Sequence, residues 1–173
     1  MSQLQCNSIV PIGGIPAGAS GGGIIQCVQA TSTATNGSSY SGSTWQTILS
    51  ASITPRSTSN KILIFSKSTI GNSSTGALEA GQRVIRGVTV IDVADALGSR
   101  IQASSINYVM GSAYNTNTAM GVYIDSPATT SSTTYNLQFY CSENQAFYVN
   151  YAPTNAEYSI MGTTTLVLME VSG

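Results

Sequence analysis

Apolar and polar residues alternate along short segments of this chain, and clusters of Ser, Thr, Gly and Pro separate the segments. In the run 44–54, Trp45, Leu49 and Ile53 fall on one face of a strand, whereas Gln46 and Ser50 fall largely on the other. Comparable patterns predict strands at 23–33, 61–70, 83–92, 119–125, 134–142, 146–151 and 163–171. About eight to ten strands in one chain predict an all-β fold, an antiparallel β-sandwich of the jelly-roll type. Helix is scarce, since the segments 76–82 and 93–99 predict single turns at most.

Two of the predicted strands are apolar on both faces. ILIF at 62–65 and LVLM at 166–169 are continuous apolar runs, although an antiparallel sandwich buries only one face of each strand. Burial of the second face requires a partner outside the sandwich. We therefore predict a symmetric oligomer, specifically a homotrimer.

Aromatic residues concentrate in the predicted strands 134–142 and 146–151. Alternation places Tyr135 and Phe139 on the face that joins the core, and leaves Tyr140 and Tyr148 to face a threefold axis or to bind a sugar by stacking. Trp45 is predicted to be buried in the sandwich. The residues predicted to lie in the core or in the trimer interface are Trp45, Leu49, Ile53, Tyr135, Phe139, Tyr140 and Tyr148.

The first 22 residues differ from the rest of the chain. The stretch PIGGIPAGASGGG has two Pro residues and many Gly residues, and such a composition holds neither a helix nor a packed strand. We predict an extended arm and Gly-rich linker at 1–22, followed by the sandwich domain at 23–173. LQCNSIV within the arm has a strand-like pattern that suits pairing with a neighbouring sheet. The residues predicted to attach the protein to a larger particle are Leu4, Gln5, Cys6, Asn7 and Ile9.

Composition excludes most enzyme classes. The 173 residues contain no histidine, so the usual general base and activator of nucleophiles is missing. No CxxC pair or DxDxDG-like cluster is present, and we predict no catalytic, metal or cofactor site. Only 8% of the residues are charged, which we interpret as the sign of a surface covered by other subunits; a Ser- and Thr-rich exterior is the alternative. Two of the three cysteines, Cys27 and Cys141, lie in predicted strands and are interpreted as small buried residues.

Partners other than protein are also restricted by composition. The six Lys and Arg residues are scattered and the net charge is -1, which argues against nucleic-acid binding. No apolar run is long enough to span a membrane, and the N-terminus lacks the pattern of a secretory signal. We expect the protein to be made and assembled in a cytoplasm.

Four segments carry a resemblance to a known family. They are GGGIIQCVQATST at 21–33, STWQTILSASITPRSTSNKILI at 43–64, YIDSPATTSSTTYNLQFY at 123–140 and TTTLVLMEVSG at 163–173. Together they resemble the short jelly-roll virion proteins of tailed bacteriophages, notably phages of cyanobacteria and marine bacteria. The resemblance implies a trimer similar to tumour-necrosis-factor or C1q-like heads, located in the virion.

Members of that family occur as capsid decoration (cement) proteins and as terminal modules of tail fibres. Only about twenty residues precede the predicted domain, whereas a fibre usually carries a longer shaft. The short front end favours a decoration protein that binds the major capsid protein. The alternative is a trimeric tail-fibre or receptor-binding tip that contacts tail proteins and recognises a host-surface glycan.

Overall fold

A computed structural model of the chain describes residues 23–34, 40, 43–72, 78–109, 115–142, 146–154, 157 and 159–173. These residues form ten strands, and they include no helix that could span a membrane. The strands are β1 (Ile24–Ser32), β2 (Gln46–Ile53), β3 (Lys61–Asn72), β4 (Leu78–Arg86), β5 (Thr89–Val90), β6 (Ser105–Val109), β7 (Thr116–Asp125), β8 (Thr133–Cys141), β9 (Phe147–Val149) and β10 (Thr164–Val171).

The strands form two sheets whose neighbouring strands are all antiparallel. The first sheet has the order β1-β10-β3-β7, with β9 paired to β3. The second has the order β2-β8-β4-β5, with β6 paired to β4. Because the chain passes repeatedly from one sheet to the other, sequential strands are rarely neighbours, as in a jelly roll. The prediction of an all-β antiparallel sandwich is confirmed.

The core lies between the inner faces of the two sheets. Along β8 the inward residues are fully buried and the residues between them are half-buried, which is the alternation expected of a strand packed on one side. β3 and β10 contribute branched aliphatic residues from the opposite sheet. The largest fully buried core residues are Tyr135, Leu137, Phe139, Phe147, Ile53, Ile62, Ile64, Ile70, Leu166 and Leu168.

β4 differs from its prediction in both its bounds and its surroundings. The segment 76–82, predicted as a helical turn, provides the first part of this strand from Leu78 onward. Gln82 in its middle is fully buried, where it accepts a hydrogen bond from Ser68 (2.6 Å) and donates one to Ser66 (2.9 Å). These bonds offset the cost of burying an amide. The strand predicted at 83–92 is interrupted at Gly87, whose φ of 58° suits a turn into β5.

A charged cluster links the two sheets at one end of the sandwich. Asp125 at the end of β7 is only 6% exposed. Its carboxylate accepts hydrogen bonds from Arg86 Nη1 (2.8 and 2.7 Å) and from the Tyr135 hydroxyl (2.7 Å). The paired guanidinium compensates the buried charge, so the cluster joins β7 to β4 and β8.

Glu170 in β10 anchors the turn between β2 and β3. Its side chain is fully buried and accepts hydrogen bonds from Asn60 Nδ2 (2.5 Å), Gln26 Nε2 (2.5 Å) and the Arg56 backbone N–H (2.7 Å). Burial acts to raise the pKa of this carboxyl, but the hydrogen bonds and the nearby Arg56 charge lower it more, so the pKa lies below its ordinary value. Three of the segments that carry the family resemblance, 21–33, 43–64 and 163–173, are thus joined through one carboxylate.

We expect Glu170→Gln to lower the free energy of unfolding at pH 7 by about 2 kcal/mol, since an amide loses charge-assisted hydrogen bonds. The folded pKa is lower than the unfolded one, so the wild-type contribution is present above the unfolded value of about 4.3 and is lost as pH falls below it. The variant should therefore lose less stability than wild type on acidification. Urea unfolding at pH 7 and pH 4 measures both effects.

The exposed Glu157 provides the control, because Glu157→Gln removes a carboxylate without changing the anchored turn. Equal stability of the Glu170 and Glu157 variants at pH 7 would contradict the anchoring role.

Candidate functional site

The outer face of the first sheet is apolar over its central strands. Residues that lie directly opposite one another in the ladders form rows across the sheet. Rows that face outward alternate with buried rows, for example those that contain Ile62 and Ile64. Leu63 of β3 pairs with Met169 and Ile124. The next outward row is centred on Phe65, which pairs with Val167 and Val122.

Strand β7 carries the most exposed part of this surface. It is an edge strand of the first sheet, and Met120, Val122 and Ile124 are 68%, 62% and 55% exposed. Contiguous exposed apolar side chains on a soluble protein mark an interaction surface. We call the following residues the apolar face: Leu63, Phe65, Met120, Val122, Ile124, Ile160, Met161, Val167 and Met169.

The segment before β10 extends the apolar face beyond the sheet. Gly162 lies so close to Thr69 that a Cβ atom on it would stand 2.5 Å from the Thr69 hydroxyl, so only glycine permits this approach. Thr116 of β7 donates a hydrogen bond to the carbonyl of Ile160 (3.4 Å). The segment is thereby held against β3 and β7 while Ile160 and Met161 remain 77% and 67% exposed.

Two lysines of β3 lie on the side of the apolar face, Lys61 at its margin and Lys67 opposite Met120 in the face itself. Lys61 begins the strand, and Lys67 follows Phe65 on the same side, where its ammonium group donates to Thr163 Oγ1 (2.8 Å). Between Phe65, Met120 and Val167 the surface forms a depression of about 260 Å³. This depression is large enough to receive an apolar side chain from another molecule.

The outer face of the second sheet is polar along much of β2 and β8. Across β2 and β8, Ser50 donates to Asn136 (2.6 Å) and Ser52 shares a hydrogen bond with Thr134 (2.8 Å). Gln138 of β8 accepts from Arg83 Nε (2.9 Å) in the same way. These bonds pair polar side chains of neighbouring strands, so this part of the surface differs from the apolar face.

Trp45 is not buried in the core, contrary to its prediction. The ladder between β2 and β8 has a one-residue irregularity between Thr47 and Leu49, so Ile48 is an extra residue in β2. An extra residue reverses the faces of all residues before it, which turns Trp45 outward. Trp45 is half-buried and packs against Tyr140, with ring centres 5.5 Å apart.

The other residues predicted for the core or trimer interface divide between the two sides of the sheets. Ile53, Tyr135 and Phe139 are core residues, and Leu49 is partly buried against the core. Tyr140 faces outward beside Trp45. Tyr148 is half-buried outside the core cluster and packs edge-on against Tyr151, with ring centres 5.2 Å apart. None of these seven residues belongs to the apolar face.

The two cysteines in strands have opposite environments. Cys141 is fully buried, as predicted, and its burial raises the pKa of the thiol to about 12. Cys27 is exposed, contrary to its prediction, because it pairs with Met169 in an outward row of the first sheet. The predicted attachment residues Leu4, Gln5, Cys6, Asn7 and Ile9 lie outside the described residues, as does the whole arm, and both stay predictions.

The apolar face was only partly accessible to sequence reasoning. The double-sided runs at 62–65 and 166–169 indicated an interface, and both strands contribute to the face. Met120, Val122 and Ile124 were missed as site residues. The available signal was their spacing of two residues within the predicted strand 119–125. In the described part of the chain, no three His, Cys, Asp or Glu side chains come together in a way that could hold a metal ion.

No protein-family model matches the chain, and no curated protein matches it in sequence. Among solved structures, the chain is similar to a chain in the structure of infectious bursal disease virus strain Gx, with 15% identity and a TM-score of 0.43. It is also similar to a chain of strain Gt of the same virus, with 13% identity and a TM-score of 0.36. In both comparisons 86% of this chain and 40% of the viral chain are covered, so the chain spans less than half the length of those relatives.

Proposed function

We propose that the protein is a structural component of a bacteriophage virion, a homotrimer that decorates and stabilises the capsid shell. The observation that carries the proposal is the apolar face. A jelly roll by itself serves capsid, lectin and enzyme domains alike, so the fold alone selects no function. The sequence resemblance to phage virion proteins supports a location in the virion.

Further copies of the same chain are the proposed occupants of the apolar face. A heterologous partner would usually be selected by complementary charge, but the charge that β3 brings to the face is Lys61 at its margin and Lys67, whose ammonium group already donates to Thr163 Oγ1. The apolar face of one copy can be buried against the apolar face of another copy. The low content of charged residues elsewhere on the chain also favours close packing between subunits.

Three copies would form a closed ring if the edge strand β7 of each subunit packed onto the apolar face of the next. β7 is both an edge strand and the carrier of the most exposed apolar side chains. Val122 of β7 in one subunit would pack over Phe65 and Val167 of the next subunit. A heterologous contact of this kind forms a closed ring when the rotation between neighbouring subunits is about 120° for three copies. The polar outer face of the second sheet would then point away from the axis.

On the particle, the major capsid protein is the proposed neighbour, and tail proteins are the alternative. We expect the native protein to be a trimer by mass photometry and to be present on virions in hundreds of copies by quantitative gel, because decoration repeats with the symmetry of the shell. A stable monomer at micromolar concentration would contradict the proposal. Fewer than a few tens of copies would assign the trimer to the tail-fibre tip instead.

A further inference from the structure

A cleft of about 500 Å³ lies on the other side of the sandwich from the apolar face. Its base is formed by β4 at Ala80 and Gly81, and the segment 100–103 covers one side of it. A Cβ atom on Gly81 would stand 2.8 Å from the Cβ of Ala103, so glycine at this position allows that segment to lie on the strand. The volume is within the range of pockets that bind small organic molecules.

One wall of the cleft is aromatic and held in place. Tyr140 lines the cleft and packs against Trp45, with the two rings tilted by 44°. The Arg83 guanidinium stands 4.1 Å from the centre of the Trp45 ring, and Gln138 accepts a hydrogen bond from the same arginine. A cation over an aromatic ring stabilises that ring in its position. Tyr140 therefore packs against Trp45, whose position is fixed by Arg83.

The remaining lining combines apolar side chains with unpaired charge. Ile101 and Ile106 are 54% and 85% exposed although they border a concave surface. Glu79 and Arg100 also line the cleft, and neither side chain forms an ion pair with any of the described residues. The cleft thus offers an acceptor carboxylate and a donor guanidinium beside an aromatic ring.

We propose that this cleft binds a saccharide. A sugar ring has apolar C–H faces and a rim of hydroxyl groups that both donate and accept, which matches an aromatic wall flanked by one acceptor and one donor. A phosphate or nucleic-acid ligand fits less well, because Glu79 would repel the anion that Arg100 attracts. In the complex, Tyr140 stacks on the ring while Glu79 and Arg100 bond to its hydroxyls.

This binding activity is separate from the assembly that the apolar face is proposed to support, because the two sites share no residue. Its presence would give the particle a means of adhering to glycan-covered surfaces. The cleft is on the outer side of the second sheet, which the proposed ring leaves turned away from its axis.

Binding can be tested with the native protein on an array of bacterial surface polysaccharides and oligosaccharides. We expect at least one glycan to bind and, in solution, to change the emission of Trp45, the only tryptophan, because that ring contacts Tyr140. Tyr140→Ala should weaken the affinity about tenfold or more, and Glu79→Gln, an isosteric change at an exposed position, should weaken it as well.

Ser50→Ala on the polar outer face of the same sheet is the matched control and should retain full affinity. Circular dichroism and mass photometry establish that each variant is folded and assembled, so a loss of binding is distinguished from a loss of the proposed trimer. Failure of every glycan on the array to bind would overturn the proposal. So would binding that neither the Tyr140 nor the Glu79 substitution weakens.

Discussion

Val122→Glu is expected to convert the proposed trimer into monomers without unfolding the protein. Val122 is 62% exposed in the single chain, so its replacement removes little core packing. In the trimer the new carboxylate would be desolvated against Phe65 and Val167 of a neighbouring subunit, and the nearest cation of the face, Lys67, already donates to Thr163 Oγ1 (2.8 Å). An unpaired charge buried in an interface costs about 3–5 kcal/mol, which weakens association by more than about 100-fold.

Mass photometry across a dilution series measures this effect, and circular dichroism shows whether the monomers stay folded. Thr47→Glu is the matched control, because Thr47 has nearly the shape of valine and is exposed on the polar face of the second sheet. We expect the control to remain trimeric. A Val122→Glu protein that assembles as tightly as wild type would exclude the apolar face as the subunit interface.

Phe139→Ala is expected to lower the free energy of unfolding by about 3–5 kcal/mol. Phe139 is fully buried in β8 and packs against Phe147, with ring centres 5.2 Å apart. Removing its ring leaves a cavity that the surrounding strands cannot fill, since they are held in register by their ladders. Most single domains are stable by only about 5–15 kcal/mol, so this variant is close to the limit of folding.

The neighbouring residue gives the comparison. Tyr140→Ala removes an aromatic ring of similar size from the outward side of the same strand, and we expect a loss of about 1 kcal/mol from its contact with Trp45. Denaturant unfolding of both variants, carried out at equal subunit concentration, measures the difference. Equal losses would mean that the two faces of β8 are wrongly assigned.

The inward face of β8 was predictable because its information is local. Tyr135, Leu137 and Phe139 recur with a period of two, separated by the polar Asn136 and Gln138, and a turn-forming run precedes them. The strand at 163–171 was predictable as a short apolar run bounded by polar residues, but its double-sided pattern did not identify its inward side. A one-sided pattern identifies both the strand and the side that meets the core.

The same reasoning fails where neighbouring strands decide the environment of a residue. Cys27 and Cys141 both lie in strands, and their opposite exposures follow from the strands that pair beside them. From the sequence, Gln82 is predicted to lie in a turn. It is buried in the structure, because Ser66 and Ser68 of another strand form hydrogen bonds with its amide group. Such contacts join residues that are distant in the chain, so no local pattern contains them.

The sequence by itself determined the all-β class, the positions of most strands and the inward residues of β8, since these depend on the two-residue period and on turn-forming residues. It also indicated an interface through the double-sided apolar runs. Only the tertiary structure decided which side of the sandwich carries the apolar face and where Trp45 lies. One extra residue in β2 reverses the side of everything before it, and such an irregularity is defined by the hydrogen bonds to β8 and not by any residue in β2 alone.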